Sequence, residues 1–410
     1  LIFRIEIAIN PRQAGKCGHF GQQRFWMNTG HGGYCVSKRA TISRMQWDIF
    51  CRVIDNHGDL GVCWRLSADL ASRGHSVRLW VDDASALVWM APDATPNAEG
   101  RVQFNTTTGT VVVRAWHDAL DGIDQPSIVW VEAFGCELPE HFVNWAHQSQ
   151  PNANSPSCPV WLNLEYLSAE TYVERSHKLP SPIMSGLLKG RTKWFFYPGF
   201  NDKTGGLIRE ARVLEKLDAT ATPAFDQSGS KPYPQKSTLF CYEPAALAEA
   251  IQLASLNSGE HQWQVAHGRG ALAFENALRN LPSHVDRPSH QFIQPLSQTK
   301  FDQLLKSSDL NFVRGEDSLV RALWAGKAFV WQIYPQDDGA HGPKLNAFLD
   351  WLDAPDSLRR FYLSWNGLSQ EPLPEVDLPA WQACAMAAQA RLVQQMDLVS
   401  QLLQFVEEKR

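Results

Sequence analysis

Several features that identify common classes of protein are missing from this sequence of 410 residues. Its eight cysteines form no C-x-x-C pair and its 13 histidines form no H-x-x-x-H pair, which argues against a structural zinc site. No apolar run is long enough to cross a bilayer. The net charge of −5 is spread without a basic block, so nucleic acid is not expected as a partner. We expect a cytoplasmic protein with reduced cysteines, no bound metal and no membrane association.

The composition predicts a folded protein of two domains. A chain of 410 residues is too long for one ordinary core, and 44% hydrophobic residues with 16 tryptophans exclude general disorder. Residues 1–44 carry no regular periodicity and are expected to be a disordered extension outside the fold. Domains are predicted over residues 45–205 and 237–380, with residues 206–236 as a mobile linker rich in Pro and Ser. Residues 381–410 show helical spacing, and we expect them to pack back on the N-terminal domain.

Strand and helix patterns alternate in both predicted domains. Trp47–Ile54 predicts a strand, Val62–Arg73 a helix ended by a glycine, and Val77–Val81 a second strand. The later domain contains the same alternation, including a strand over Leu310–Val313 followed by a helix over Ser318–Ala325. The predicted fold is α/β, with two facing Rossmann-like domains, an interdomain cleft and a long C-terminal helix.

The loop Asp55–Gly61 (DNHGDLG) lies where a dinucleotide-binding fold has its glycine fingerprint. G-x-G-x-x-G is absent here, and the carboxylates of Asp55 and Asp59 would repel a pyrophosphate. Either aspartate alone is more simply explained as a helix cap. Two of them beyond the carboxyl end of a first strand instead suit a general base or the binding of a cationic substrate.

The second polar loop, Arg314-Gly315-Glu316-Asp317-Ser318, joins a predicted strand to a predicted helix. Free N–H groups at a helix start and a permanent arginine charge favour a phosphate. A plain helix cap by Asp317 or Ser318 is an equally supported alternative. Glu316 is unfavourable beside an anion unless it has a partner or a chemical role. Together, the two loops suit group transfer from a diphosphate to a cationic or protic acceptor.

At these residues the chain resembles the protein-arginine rhamnosyltransferases that modify elongation factor P. The resemblance runs from about Gln46 to the C-terminus and leaves residues 1–44 without a counterpart. It is carried by FCRVIDNHGDLGVCWRLSADL, VWLNLEYLSAETYVE, FFYPGF, TGGLIRE, LFCYE and FVRGEDSLVRALWAGKAFVWQIYPQDDGAH. The resemblance implies an inverting GT-B glycosyltransferase that moves L-rhamnose from dTDP-β-L-rhamnose to one arginine of elongation factor P. This modification would activate the factor for the rescue of ribosomes stalled at polyproline. The resemblance further implies a monomer that needs no metal.

The same resemblance implies the site residues. Asp55, Asp59 and Glu316 would be the catalytic carboxylates. From the chemistry of a guanidinium acceptor, our hypothesis is that Asp59 is the base, that Asp55 orients the guanidinium, and that Glu316 steers the sugar or shares the acceptor. The residues that would bind dTDP-rhamnose are Asn56, Gly58, Phe240, Tyr242, Gln298, Phe301, Arg314, Gly315, Glu316, Asp317, Ser318 and Tyr334.

Two other functions fit the same loops. One is a GT-B transferase that acts on a small molecule or a glycan. The other is a non-catalytic scaffold that binds a nucleotide sugar and would not need the two aspartates.

Overall fold

The structure is a computed structural model of the chain. It describes residues 24–27, 34–37, 44–53, 57–120, 127–149, 158–211, 213, 233–257, 261–336 and 339–410. Asp55, Asn56 and most of the predicted linker lie outside these residues. Within residues 1–44, strands β1 (Arg24–Met27) and β2 (Tyr34–Ser37) pair antiparallel. The sequence predicted no strand here, although aromatic and β-branched residues such as those of β1 and β2 favour strands. The expectation of a disordered extension stays a prediction.

The first half of the described fold, from Met45, is built on a large sheet. Its strands are β3 (Gln46–Cys51), β4 (Ser76–Val81), β5 (Thr95–Pro96), β6 (Val102–Asn105), β7 (Thr110–Ala115), β8 (Val129–Ala133), β9 (Val160–Leu164), β10 (Pro180–Pro182) and β11 (Thr192–Phe196). Its helices are α1 (Gly58–Ser72), α2 (Leu87–Met90), α3 (Glu140–Ser149) and α4 (Tyr172–Ser176).

The strand order of this sheet is that of a dinucleotide-binding fold. Its parallel strands run β11-β9-β8-β3-β4-β7 across the sheet, so the order reverses between β3 and β8. Antiparallel strands extend both edges: β10 pairs with β11, and β6 pairs with β7. The sequence did not predict these edge strands, because they are short and lack a buried apolar face.

The second half contains a smaller sheet with parallel pairings throughout its described strands. They are β12 (Lys236–Leu239), β13 (Gln262–Ala266), β14 (Ser289–Ile293), β15 (Leu310–Arg314) and β16 (Ala328–Gln332), in the sheet order β14-β13-β12-β15-β16. Its helices are α5 (Leu247–Asn257), α6 (Arg269–Arg279), α7 (Gln298–Ser307), α8 (Gly315–Ala325), α9 (His341–Leu352) and α10 (Asp356–Trp365). This order also reverses beside the first strand, between β12 and β15, so both halves are Rossmann-like.

The C-terminal segment predicted as helical is present, with a break in it. It consists of α11 (Leu378–Val393) and α12 (Leu398–Lys409), and Asp397 caps the second helix by accepting a hydrogen bond from the Ser400 N–H. Helix α12 shares a hydrophobic cluster with the large sheet, whereas α11 packs with the smaller half. The chain thus returns to the first half at its end.

Two helices begin earlier than the sequence predicted. Helix α1 starts at Gly58 instead of Val62, and α8 starts at Gly315 instead of Ser318. In both cases the first turn contains glycine and acidic residues, which by type favour a loop. Acidic residues are nevertheless favourable in the first turn of a helix, because the helix dipole is positive there. Among the helices that the structure describes, none combines the length and apolar character needed to span a bilayer.

Candidate active site

The candidate site lies where the two points of strand reversal face each other. Helix α1 follows β3 in the first half, helix α8 follows β15 in the second, and the two helices pack together. Open α/β sheets bind ligands outside the carboxyl ends of their strands at such reversals. The described part of the first polar loop, residues 57–61, and the second polar loop both follow the carboxyl end of a strand.

A buried network of charges joins the two helices. Arg65 of α1 is 2% exposed, and its guanidinium bonds Asp317 at 2.9 Å, Glu210 at 3.1 Å and Asp302 at 3.1 Å. Arg321 of α8 bonds Glu210 and Asp302, each at 2.7 Å. Burial raises the pKa of Asp317, and the two arginines oppose that shift. Arg65 already bonds one carboxylate oxygen of Asp317, so this aspartate joins the two halves of the protein. A contact between Asp317 and the donor stays a prediction.

The start of α8 has an unusual local geometry. Gly315 has a φ of +63°, which an L side chain adopts only with strain, so the chain can turn from β15 directly into the helix. Arg314 is the N-cap residue, and its own side chain does not cap the helix. The Ser318 hydroxyl accepts from the Arg314 N–H at 3.0 Å and also donates to the Arg314 carbonyl. Neither Ser318 nor Asp317 is the N-cap residue, and the N–H groups of the first turn have no intrahelical partner.

Arg314 lies beside two aromatic rings. Its guanidinium carbon is 4.5 Å from the ring centroid of Phe240 and 4.7 Å from that of Tyr242, and it donates to the Cys241 carbonyl at 2.9 Å. Within the described part of the chain it makes no ion pair with a carboxylate. Burial lowers its pKa, and Tyr242 opposes that shift. Glu243 acts on Arg314 through its charge without forming an ion pair with it, so Arg314 retains hydrogen-bond donors for an anion.

Further aromatic residues surround this arginine. Phe301 packs edge-on against Phe240 at 5.4 Å between centroids, and Tyr334 packs edge-on against Tyr242 at 5.5 Å. The Tyr334 side chain is 43% exposed, so its ring is available for contact with a base or sugar. The structure thus brings together all four predicted aromatic residues with Arg314.

Gln298, predicted to bind the nucleotide, makes a hydrogen bond within the protein. Its side-chain amide donates to the Gly61 carbonyl at 2.9 Å, which links the start of α7 to α1. Asp317 also lies close to Gly61: a methyl group in place of the Gly61 hydrogen would be 3.4 Å from the Asp317 carboxylate. A contact of Gln298 with the nucleotide stays a prediction, while its present bond joins the two halves.

Two predicted catalytic acids lie near each other. Asp59 is in the first turn of α1, after the N-cap residue His57, and is not itself the cap. Burial, followed by the charge of Glu316, raises the pKa of Asp59 to about 7. Its carboxylate makes no hydrogen bond to another residue that the structure describes. Asp59 therefore has the pKa that suits a general base near neutral pH. Gly58, the first residue of α1, has open space around its Cα.

Glu316 has the partners that its position requires. One carboxylate oxygen is 3.0 Å from the Lys344 ammonium, and the other accepts from the Leu167 N–H at 2.8 Å. The first contact neutralises the acid within the second half, and the second contact crosses to the first half. The sequence predicted neither, because the partners are 28 and 149 residues away. Two of the residues that the sequence did not predict left a signal, because Arg65 and Arg321 are charges inside the apolar runs of α1 and α8.

Comparison with known proteins decides the family. Residues 47–407 match the model of the elongation factor P (EF-P) rhamnosyltransferase EarP. A protein-arginine rhamnosyltransferase of Pseudomonas putida is 41% identical over 341 residues, which cover 78% of this chain and 86% of that relative. The chain belongs to the EarP family. A protein-arginine rhamnosyltransferase of Pseudomonas aeruginosa is 38% identical over 386 residues, covering 88% of this chain and 98% of the relative.

A solved structure extends the EarP comparison to the fold. It is described as the structural basis for EarP-mediated arginine glycosylation of translation elongation factor EF-P. It is 27% identical, has a TM-score of 0.55, and covers 90% of this chain and 100% of that one. The predicted GT-B architecture and the assignment to glycosyltransferase enzymes are confirmed. The family's model begins at residue 47, close to Met45, where the larger compact unit begins.

Proposed function

We propose that this enzyme transfers L-rhamnose from dTDP-β-L-rhamnose to an arginine side chain of elongation factor P, with inversion at the anomeric carbon. The proposal is supported by two relatives named protein-arginine rhamnosyltransferase, which this chain matches over most of their length. The observation that carries it in the site is an acid with a pKa of about 7 in the first half, together with an arginine in the second half that makes no ion pair with a carboxylate among the described residues. In this proposal the enzyme is a cytoplasmic monomer.

The second half would bind the donor. Arg314 and the N–H groups at the start of α8 would hold the diphosphate, which becomes more negative as the sugar leaves. Phe240, Tyr242, Phe301 and Tyr334 would surround the thymidine. The short distance from Arg314 to both Phe240 and Tyr242 supports this arrangement, because it restricts the guanidinium before the donor arrives.

The first half would activate the acceptor. An arginine guanidinium has a pKa above about 12 and delocalised lone pairs, so it is a poor nucleophile. In the proposed step, a guanidinium nitrogen forms a bond to the anomeric carbon while the bond from that carbon to the dTDP oxygen breaks. Asp59 accepts the proton that the nitrogen loses, and dTDP leaves with the electron pair of the broken bond. Asp55 would orient the guanidinium, and Glu316 would share its charge.

The experiment that tests the proposal is mass spectrometry of purified EF-P after incubation with the enzyme and dTDP-β-L-rhamnose. We expect the mass gain of one deoxyhexose residue on one arginine, and none on EF-P with that arginine changed to lysine. The anomeric configuration of the product, read by NMR, tests inversion. A reaction with a glycan or small molecule, but none with EF-P, would favour the alternative transferase.

Asp59→Asn distinguishes an enzyme from a scaffold. The substitution keeps the shape of the side chain but removes the base, so transfer should fall by about 10² to 10⁴-fold. Affinity for dTDP, measured by calorimetry, should stay nearly unchanged because Asp59 is not placed on the donor. An equal loss of dTDP binding would contradict the assignment. In the same assay, EDTA should leave the rate unchanged.

A further inference from the structure

An aromatic pair lies at the strand reversal of the large sheet, beside the acids of the proposed site. The reversal falls between β3 and β8, and the crevice there is where such sheets bind ligands. Phe134 follows the end of β8 directly, and Tyr166 lies two residues beyond the end of β9. Asp59 lies beyond the end of β3. Three strands that lie side by side therefore carry these residues into one crevice.

The two rings are stacked. Their centroids are 4.7 Å apart, with an angle of 23° between the planes. Phe134 has a φ of +58°, which is rare for a bulky residue, and Gly135 continues the turn with a φ of +73°. A left-handed conformation at a phenylalanine costs on the order of 1 kcal/mol or more and is found mainly where a function requires it. This turn holds the Phe134 ring against Tyr166, which is nevertheless 41% exposed.

Acidic residues surround the Tyr166 ring. Burial raises the pKa of its hydroxyl, and the charges of Asp59, Glu316 and Glu165 raise it further. Glu165 is the residue before it in the chain, and the next residue along, Leu167, donates its N–H to Glu316. An exposed aromatic face among carboxylates is a site for a cation.

A cation of the protein already lies in this environment. The Lys344 ammonium is 3.0 Å from a carboxylate oxygen of Glu316 and 5.9 Å from the centroid of the Tyr166 ring. The ammonium thus has an acid at close range and an aromatic ring at the outer limit of a cation–π contact. A planar guanidinium would bind more favourably than an ammonium beside this ring and these acids. Its plane can stack on the ring while the N–H groups along its edge donate to carboxylates.

On the basis of the proposed function, we propose that Phe134 and Tyr166 form the acceptor subsite, where the guanidinium plane of the acceptor arginine rests on the Tyr166 ring. Asp59 and Glu316 then contact the edge of the guanidinium. Phe134 does not touch the acceptor; it is a positioning residue that fixes the Tyr166 ring. The stacked ring selects arginine over lysine, because an ammonium has no plane to stack.

The test is the steady-state kinetics of EF-P rhamnosylation by the whole enzyme with EF-P as the varied substrate. Tyr166→Leu should raise the KM for EF-P about tenfold, and Tyr166→Phe should stay within about twofold because the ring is kept. Phe134→Asn should also raise this KM. Asparagine adopts a positive φ more readily than phenylalanine, and this gain should offset part of the stability lost with the packed ring. The melting temperature of Phe134→Asn should therefore fall by less than is usual for the loss of a packed phenylalanine. Affinity for dTDP should be unchanged in all three variants.

Tyr197→Leu is the matched control. Tyr197 also stacks on a phenylalanine, Phe195, at 6.4 Å and 26° on the same half of the protein. Of the acids beside Tyr166, Glu165 raises the pKa of Tyr197, but neither proposed catalytic acid, Asp59 or Glu316, contributes to that shift. Its KM for EF-P should equal that of the wild type. An unchanged KM in Tyr166→Leu, or an equal rise in Tyr197→Leu, would overturn the subsite while the proposed function stands. Absence of any transfer by the wild type would overturn the function itself, and the subsite with it.

Discussion

Arg65 lies in the interface between the halves and Arg314 precedes α8 in the second half, and the two arginines have different surroundings. Arg65 is enclosed by three carboxylates, at 2.9 to 3.1 Å. Arg314 contacts two ring faces and one backbone carbonyl, with no acidic partner among the described residues. A buried charge requires a partner. Arg65 has partners from the protein, so it is structural, whereas the missing partner of Arg314 points to an anionic ligand.

The largest expected effect comes from removing Arg65. Arg65→Met would remove the arginine that bonds Asp317, Glu210 and Asp302 in the buried network, which should cost about 3 to 5 kcal/mol of unfolding free energy. Denaturant unfolding followed by tryptophan fluorescence measures this loss. Arg65→Lys should retain part of the stability. A loss below about 1 kcal/mol for Arg65→Met would contradict the structural role of this arginine.

Removing Arg314 should affect ligand binding instead of stability. Arg314→Gln should weaken dTDP binding about 30-fold, the loss of roughly 2 kcal/mol of charge-assisted hydrogen bonding. Its unfolding free energy should change by less than about 1 kcal/mol, because no carboxylate loses its partner. Calorimetric titration with dTDP and the unfolding assay used for Arg65 measure the two quantities. The reverse result, a large loss of stability with intact dTDP affinity, would remove the distinction between the two arginines.

The pH dependence of transfer tests Asp59, the acid proposed as the base. The pKa of Asp59 is raised from 3.8 to about 7, so the carboxylate is mainly protonated below that pH and ionised above it. A base must be ionised, so kcat/KM should rise with pH through about 7 and be about tenfold lower at pH 6 than at the plateau. Stability has the opposite pH dependence. The folded state keeps the Asp59 proton between pH 3.8 and about 7 whereas the unfolded state loses it, so the unfolding free energy should fall as the pH rises from about 4 to about 7. A flat profile of kcat/KM from pH 6 to 8 would exclude Asp59 as the base.

The smallest effect concerns the turn beside Arg314. Gly315→Ala should cost about 1 kcal/mol of unfolding free energy because of its φ of +63°. The added methyl group would also lie 3.4 Å from the Tyr242 hydroxyl. A modest loss of dTDP affinity should accompany the loss of stability, whereas Gly58→Ala, with open space around it, should leave dTDP affinity closer to the wild type.

Local patterns predicted the elements well and their starting points less well. Apolar runs identify β4 and β15 within a residue of their ends, because buried parallel strands consist largely of apolar residues. The starts of α1 and α8 were missed, because Gly58 and Gly315 are typical of loops. Residue type and position also singled out Arg314 as an anion ligand and Asp59 as a base. The structure places Asp59 in the first turn of α1 and Arg314 directly before α8, and both roles stay predictions.

What the sequence determined by itself is therefore the alternation of strands and helices, the two polar loops and, through its motifs, the family. Only the tertiary structure decided which charged residues are compensated. Arg65 and Asp317 are 252 residues apart, and Glu316 finds Leu167 at a distance of 149 residues. The free energy of a charge depends on its burial and on the nearest opposite charge, and neither is a property of neighbours in the chain. Two arginines that look alike in the sequence thus have different roles, one joining the halves and one facing the ligand site.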